Sequence, residues 1–460
     1  MSKIEKQFLI GASLSGPQTE GSIAKKIDSV MDYWYKNYQD DFYNHIGPEI
    51  TSNFYVNYKE ALKNLDKLGL EMYRTSIQWS RIFSDDNLSQ INNEGIEFYK
   101  AYFKEIKKYN VRLVVNLFHF DMPMSLQKKD GFFDKLTINK YVEYAKICFE
   151  NFNDLVDDWA TFNEPMANVE CQYLYGFHYP KEKNFKKSIQ IFYNILVAHA
   201  KVVNLFNRDY RKDNQKITTI LALNPAIPRD KNNLEDVKAA HYCDLLRNYA
   251  QLDPIINGNF DPELIVFLKE NNFKIDFNKS ELDEIACAKI DYISLNYYQP
   301  SRVKAKEQKV EVINDMHDLF DFWDWPEKRI NPYRGWEIFP EGIYKIANVI
   351  KERYNNFAWV ISENGMGVED EERFRNKEGF IDDDYRIEFI QEHLEWIYKA
   401  IEEGSNCFGY NLWTFIDNWS WSNAYKNRYG FVEYNLETQK YILKKSGYWI
   451  KEVIKKKRGK

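Results

Sequence analysis

Ala358-Trp359-Val360-Ile361-Ser362-Glu363-Asn364-Gly365 is an apolar, partly β-branched run that stops at a carboxylate followed by Asn-Gly. A run of this kind, bounded by a turn signal, suits a strand covered on both faces. A charge at its last position gains nothing from packing. Glu363 is therefore either the first solvated residue of a loop or a functional carboxylate at the end of a buried strand, and the rest of the chain decides between the two.

Outward from this octapeptide, strand-like runs recur at 8–14, 71–77, 111–118, 156–162, 217–223, 290–295 and 408–415, with the quoted run itself at 358–362. Helical periodicity fills the intervals. Tyr55, Tyr58, Ala61, Leu62, Leu65 and Leu68 fall on one helix face, and Gly69 stands where a C-cap glycine stops it. Similar faces run through 96–109, 141–152, 189–206, 237–252, 343–354 and 385–401. No linker, low-complexity tract or internal repeat interrupts this order. The expectation is an α/β protein: a single (β/α)8 TIM barrel over 1–460 with long loops on its C-terminal face. The longest interval, 301–337, holds Phe320, Phe322, Trp323, Trp325 and Trp336. It either seals the barrel top as a small apolar cluster or walls the leaving-group side of a ligand site.

The 460 residues are 44% hydrophobic and 29% charged, ordinary for a globular protein, whereas 17% are aromatic, a common platform for sugar faces. A net charge of −6 with both signs dispersed excludes a nucleic-acid footprint or a membrane-surface stripe. The closing Lys455-Lys456-Lys457-Arg458-Gly459-Lys460 reads as a solvated tail. Cys148, Cys171, Cys243, Cys287 and Cys407 lack C-x-x-C spacing and read as free thiols in a reducing compartment, so the expected location is cytoplasmic. The apolar run at 8–14 is too short for a secretory core, and no later stretch reads as a bilayer span.

In such a barrel the chemistry lies where strands end. Gln18 follows the first run and Arg74 lies in the second. His119, Asn163-Glu164, Asn296-Tyr297-Tyr298 and Glu363 close the third, fourth, sixth and seventh, and Trp413 lies in the eighth. Two carboxylates from different strands, Glu164 and Glu363, suit glycoside cleavage, in which one group protonates the departing oxygen and the other attacks the anomeric carbon. Arg74 would hold Glu363 ionised, and Glu164 needs surroundings that raise its pKa. A metal hydrolase lacks its ligands, since no H-x-H or H-E-x-x-H occurs. G-x-G-x-x-G, P-loop and G-x-S-x-G patterns are absent too. His119 reads as a neutral hydrogen-bonding group.

Thr161-Phe162-Asn163-Glu164-Pro165 and Ile361-Ser362-Glu363-Asn364-Gly365, with Gln18-Thr19-Glu20-Gly21, the run from Tyr73 to Ile82, Phe118-His119-Phe120-Asp121-Met122-Pro123 and Pro340-Glu341-Gly342, make the chain resemble the family one glycoside hydrolases over nearly its whole length. The resemblance implies a retaining β-glycosidase with Glu164 as acid/base and Glu363 as nucleophile. Arg74 and Tyr298 would orient the nucleophile, Asn163 would bind the sugar 2-hydroxyl, and Asn296 would lie near the reacting centre. Gln18, His119 and Trp413 look like glycone-binding residues, and Trp336 and Trp421 like further substrate contacts. Phe120 stands where many members have Trp.

Ordinary β-glucosidases carry Glu at the position of Ser420, where a carboxylate would repel a phosphate by several kcal/mol at intermediate dielectric. The segment from Asp417 to Gly430 is similar instead to the 6-phospho-β-glycosidase branch, in which Ser, Lys and Tyr hold the 6-phosphate. Ser420 and Tyr429 match. The Lys position is Asn427, flanked by Lys426 and Arg428, either of which could reach the anion by a small loop shift. Trp421 leans toward 6-phospho-β-galactosides, with 6-phospho-β-glucosides close behind. The implied partner is a small-molecule phosphorylated disaccharide or aryl or alkyl β-glycoside, with no metal or organic cofactor, nucleic acid or membrane. The alternatives are a β-glucosidase or β-galactosidase of unphosphorylated glycosides and a silent sugar-binding barrel, the latter disfavoured because both glutamates are present.

Overall fold

Eight parallel strands, β1 (Leu9–Ser13), β2 (Met72–Ser76), β3 (Arg112–Asn116), β4 (Asp158–Asn163), β5 (Lys216–Ala222), β6 (Ile293–Asn296), β7 (Trp359–Asn364) and β8 (Cys407–Trp413), form a closed barrel in chain order. The computed structural model describes residues 7–308 and 310–459. β8 closes on β1 from Leu9↔Gly409 to Ser13↔Trp413. Every expected strand is present, and the fold is the (β/α)8 barrel that the alternation predicts.

The principal helices, one after each strand, are α1 (Phe54–Leu68), α2 (Asn93–Lys107), α3 (Lys135–Phe152), α4 (Phe185–Leu205), α5 (Leu234–Asp244), α6 (Glu341–Arg353), α7 (Asp384–Glu402) and α8 (Lys445–Lys457). Gly69 ends α1 at φ +68, and its N–H reaches the carbonyls of Leu65 and Asp66. Among the described residues, 185–210, which includes α4, is the one helical stretch long and apolar enough to cross a membrane, and 72% of its most apolar window is buried in the fold.

Period-two alternation explains where the core and the site lie. Met72, Val114, Ala160, Ile220, Tyr292 and Val360 form a separate apolar layer, while their neighbours Tyr73, Leu113, Val115, Trp159 and Ile361 join the outer core against the helices. Two residues beyond Met72, Val114 and Val360 stand Arg74, Asn116 and Ser362, all buried. The barrel interior is thus apolar at one end and polar at the end where the strands finish.

One expectation is corrected. The basic C-terminal run is not simply a solvated tail: Ile450, Ile454 and Lys457 share the inner face of α8, and Lys457 is only 4% exposed. Its ammonium pairs with Glu71 and donates to the Phe8 carbonyl at 2.5 Å, as a cation carried inward on an apolar helix face requires. Lys460 lies outside the described residues. The interval 301–337 divides in two. Ser301–Lys304 pairs with Ala226–Pro228 and Asp321–Phe322, and Met316 and Phe320 enter a satellite cluster with Leu174, Leu246 and Phe267. The remainder doubles back, with Gly335 N–H on the Asn331 carbonyl at 2.8 Å and Asn331 Nδ2 on the Gly367 carbonyl at 2.9 Å.

Candidate active site

β4 and β7 carry the two carboxylates, and both strands slip register just before them. The β4–β5 pairing shifts between Ala160 and Asn163, and the β7–β6 pairing between Ile361 and Glu363. Ile361 faces the helices, so strict alternation would send Glu363 the same way. The slip turns it inward onto Arg74.

Glu363, 4% exposed, accepts from Arg74 Nη2 on Oε1 and from the Tyr298 hydroxyl on Oε2 at 2.7 Å. Arg74 Nη1 also donates to Asn163 Oδ1 at 3.0 Å and to Ser362 Oγ at 3.4 Å, and its guanidinium lies 5.6 Å from the Trp413 ring centroid. Asn296 Nδ2 donates to the same Asn163 Oδ1 at 3.2 Å and to Glu164 Oε1 at 2.6 Å. One continuous chain, Glu363–Arg74–Asn163–Asn296–Glu164, therefore joins the carboxylates, and all five of its members are expected polar residues.

Glu164 meets different surroundings. It precedes the helix Pro165–Tyr173, and a residue before proline is disfavoured in the right-handed helical region. It adopts φ +47, ψ +56, a left-handed conformation that costs a non-glycine residue on the order of 1–2 kcal/mol. Its N–H on the Ile220 carbonyl at 2.8 Å and its carbonyl on the Asn168 N–H at 2.9 Å hold it there. Burial, reinforced by the negative charge of Glu363, pushes its carboxyl up to about 8 against the pull of Asn296 and Arg74. At neutral pH Glu164 holds a proton that it can give away.

Aromatic rings make the walls. The His119 ring lies nearly parallel to Trp413 (6.0 Å, 10°) and to Trp421 (5.9 Å, 21°). Burial and the Arg74 charge drive its imidazole well below the ordinary value, so it is neutral, as expected. Phe120 approaches Trp421 at 5.5 Å, and Trp336 approaches Tyr298 at 5.1 Å. Phe120 and Trp421, like Glu164, have positive φ (+65 and +53), a concentration of backbone strain at one mouth. Gln18 joins the end of β1 to the segment after β8, donating to the Trp419 carbonyl at 2.9 Å and accepting from Ser15 Oγ at 2.7 Å. Asn364, which reads as the start of a turn with Gly365, is instead the last residue of the strand. Asn364 donates to the Tyr297 carbonyl at 2.7 Å, and a Cβ on Gly365 would stand 1.9 Å from the Trp413 carbonyl oxygen.

The segment after β8 brings some of its expected residues to the site and not others. Ser420 is buried, with no hydrogen bond from its hydroxyl to protein among the described residues. Tyr429 is buried beside Gly367. Asn427, 1% exposed, donates to the Tyr333 carbonyl at 3.4 Å. Lys426 lies over the Tyr43 ring at 5.6 Å, while Arg428 covers the Tyr425 ring at 4.5 Å and donates to the Tyr434 carbonyl at 3.3 Å. Neither flanking cation sits with Tyr429. Arg334 does: its loop is bonded to Asn427 through the Tyr333 carbonyl and to Gly367, beside Tyr429, through Asn331, and its positive charge opposes the upward push of burial on the Tyr429 hydroxyl. The sequence reading took Trp336 from this loop and missed Arg334, whose only signal was that proximity. It also missed His178, which touches Phe120 and Trp421 and is pushed down to about 4 by burial.

The family model described as Glycosyl hydrolase family 1 matches residues 1–459. The chain belongs to glycosyl hydrolase family 1. Within this family it is similar to the 6-phospho-beta-glucosidase GmuD of Bacillus subtilis, 45% identical over 98% of this chain and 97% of that protein. A 6-phospho-beta-galactosidase of Leptotrichia buccalis is 34% identical over 99% of both chains. Among solved structures, the family 1 β-glucosidase of Thermotoga maritima superimposes with a TM-score of 0.89 at 30% identity, covering 99% of both chains.

Proposed function

We propose that this family 1 hydrolase cleaves 6-phospho-β-glycosides with retention, through a glycosyl-enzyme intermediate. The observation that carries the chemistry is the opposite setting of the two glutamates. Glu363 receives a guanidinium and a phenol hydrogen bond, and Glu164 is held protonated by burial beside that charge. In the first step Glu363 forms a bond to the anomeric carbon as the bond to the leaving oxygen breaks, and Glu164 passes its proton to that oxygen. In the second, Glu164 takes a proton from water, the water oxygen replaces Glu363, and the sugar leaves with its original configuration. Asn163, fixed by Arg74 and Asn296, is the group for the sugar 2-hydroxyl. Gln18, His119, Trp413 and Trp421 enclose the glycone, with Trp336 on the side of the leaving group.

The phosphate preference rests on Ser420, which offers a free hydroxyl where ordinary β-glucosidases have a carboxylate, and on the likeness to phospho-glycosidases. The 45% identity to a 6-phospho-beta-glucosidase against 34% to a 6-phospho-beta-galactosidase favours the gluco configuration over the galacto lean of Trp421. The test compares p-nitrophenyl β-glucoside and β-galactoside with their 6-phosphates. Higher kcat/KM for the phosphates, lost by several orders of magnitude in Glu363→Gln, is expected. Faster turnover of the unphosphorylated pair would overturn the phosphate preference, and undiminished activity in the variant would overturn the nucleophile.

A further inference from the structure

The candidate site contains a cation with no counter-charge. Arg74, Arg81, Arg247, Arg302 and Arg386, buried or half-buried near the strand ends, each face a carboxylate (Glu363, Glu20, Glu170, Glu337 and Glu371), and half-buried Arg428, which has none, is turned away onto the Tyr425 ring and the Tyr434 carbonyl. Arg334 forms no ion pair with a carboxylate among the described residues; its Nε is buried with no hydrogen-bond partner, as are those of Arg74 and Arg386, but in those two the terminal nitrogens are held by carboxylates. A buried donor left without an acceptor is costly, and a protein retains one where a ligand supplies the acceptor.

The surroundings set its direction. The guanidinium lies over Trp336, 4.3 Å from the ring centroid, which fixes its plane. Trp336 packs on Tyr298, whose hydroxyl binds Glu363, so two aromatic side chains link the cation to the reacting carboxylate. Its charge also acts on the Tyr429 hydroxyl. The loop that carries it is tied just before Arg334, by Asn331 Nδ2 on the Gly367 carbonyl (2.9 Å) and by Asn427 Nδ2 on the Tyr333 carbonyl (3.4 Å), and just after it by Gly335 N–H on the Asn331 carbonyl (2.8 Å). Asn427 is fully buried in doing so, and its amide is spent on the loop and carries no charge.

We infer that Arg334 is the cation that binds the sugar 6-phosphate, supplied by the loop between β6 and α6, and that Asn427 serves to hold that loop in place. A planar fork with two N–H edges suits the paired oxygens of a phosphate, and the Tyr429 and Ser420 hydroxyls add neutral donors. This assignment deepens the proposed function and rests on it.

The experiment is steady-state kinetics of wild type, Arg334→Gln, Arg334→Lys, Lys426→Gln and the double variant Arg334→Gln/Asn427→Lys on p-nitrophenyl β-glucoside and its 6-phosphate. In Arg334→Gln, KM for the phosphate is expected to rise about 10- to 100-fold at nearly constant kcat, with the unphosphorylated substrate unchanged to within about twofold, which also shows that the variant is folded. Arg334→Lys recovers part of the loss, the double variant recovers it by restoring a cation, and Lys426→Gln is silent. A parallel rise in KM for both substrates, or an undiminished phosphate preference, overturns the assignment while leaving the proposed function standing. A wild-type enzyme without phosphate preference overturns both.

Discussion

Glu164 and Glu363 are the same residue type placed at the ends of two strands of one barrel, and their difference lies wholly in what surrounds them. Arg74 and Tyr298 aim donors at Glu363, whereas Glu164 has a single amide donor and the repulsion of its partner. The activity is expected to fall as pH rises through about 8, where Glu164 loses the proton that the proposed reaction has it donate, and a pH profile of kcat/KM on a poor leaving group reads this directly. The same group governs a stability effect. Its folded value near 8 stands above the ordinary 4.5, so between these values the native state holds a proton that the unfolded chain has released. Its contribution is full below about 4.5 and drains as pH rises through 8. Glu164→Gln, which has no proton to lose, is therefore expected to melt at a higher temperature than wild type at pH 8.5, by roughly 2–5 °C, with the gap closing toward pH 5 in parallel melts.

At the scale of elements, the segment from Asp417 to Gly430 matters because it presents Ser420, Trp421 and Tyr429 with only one 3-10 turn, Trp421–Asn423, of its own to hold them. Buried ions do that instead. Lys444, just before α8, pairs with Glu371 and with Asp417, its Nζ lying 2.9 Å from Asp417 Oδ1, which also accepts the Gly430 N–H at 2.8 Å. Arg386 on α7 bonds Glu371 at 2.7 Å and the Arg428 carbonyl at 3.0 Å. Both ends of the segment are thus anchored to one cluster. Lys444→Met would leave Glu371 and Asp417 facing each other with only Arg386 between them, and the expected loss is about 3–5 kcal/mol in urea unfolding. Among molecules that still fold, KM should rise more for the 6-phosphate than for the plain glycoside, because the segment that loosens is the one beside Tyr429 and Ser420. An equal rise for both would mean that the cluster supports the barrel and not the phosphate side of the site.

For the molecule as a whole, buried ion pairs distribute the acid lability. Burial pushes Glu371 up, but Lys444 and Arg386 outweigh it and bring its pKa to about 2; Lys25 does the same for Asp32, also to about 2. Both folded values lie below the ordinary ones, so the stability these groups add is present above about pH 4.5 and is lost as pH falls toward 2, on the order of 2 kcal/mol each. Urea midpoints that stay flat from pH 5 to 2.5 would contradict this. Much of the architecture was legible in the chain itself. Strand and helix periods, the C-cap at Gly69 and the polar residues at strand ends are local patterns, and a closed barrel puts all eight strand ends on one rim, so the order of elements and the identity of Arg74, Asn163, Glu164, Asn296 and Glu363 could be read from residues alone. Facing and partnership could not. A register slip between neighbouring strands turns Glu363 inward against its own alternation, and slips are decided by the strand alongside. Lys457 is drawn into the fold by Glu71 from the far end of the chain. The cation beside Tyr429 comes from a loop after β6 and not from the segment whose spacing called for one. Periodicity records which face of an element is apolar, but it carries no trace of which loops meet across a barrel mouth, and there the tertiary structure alone decides.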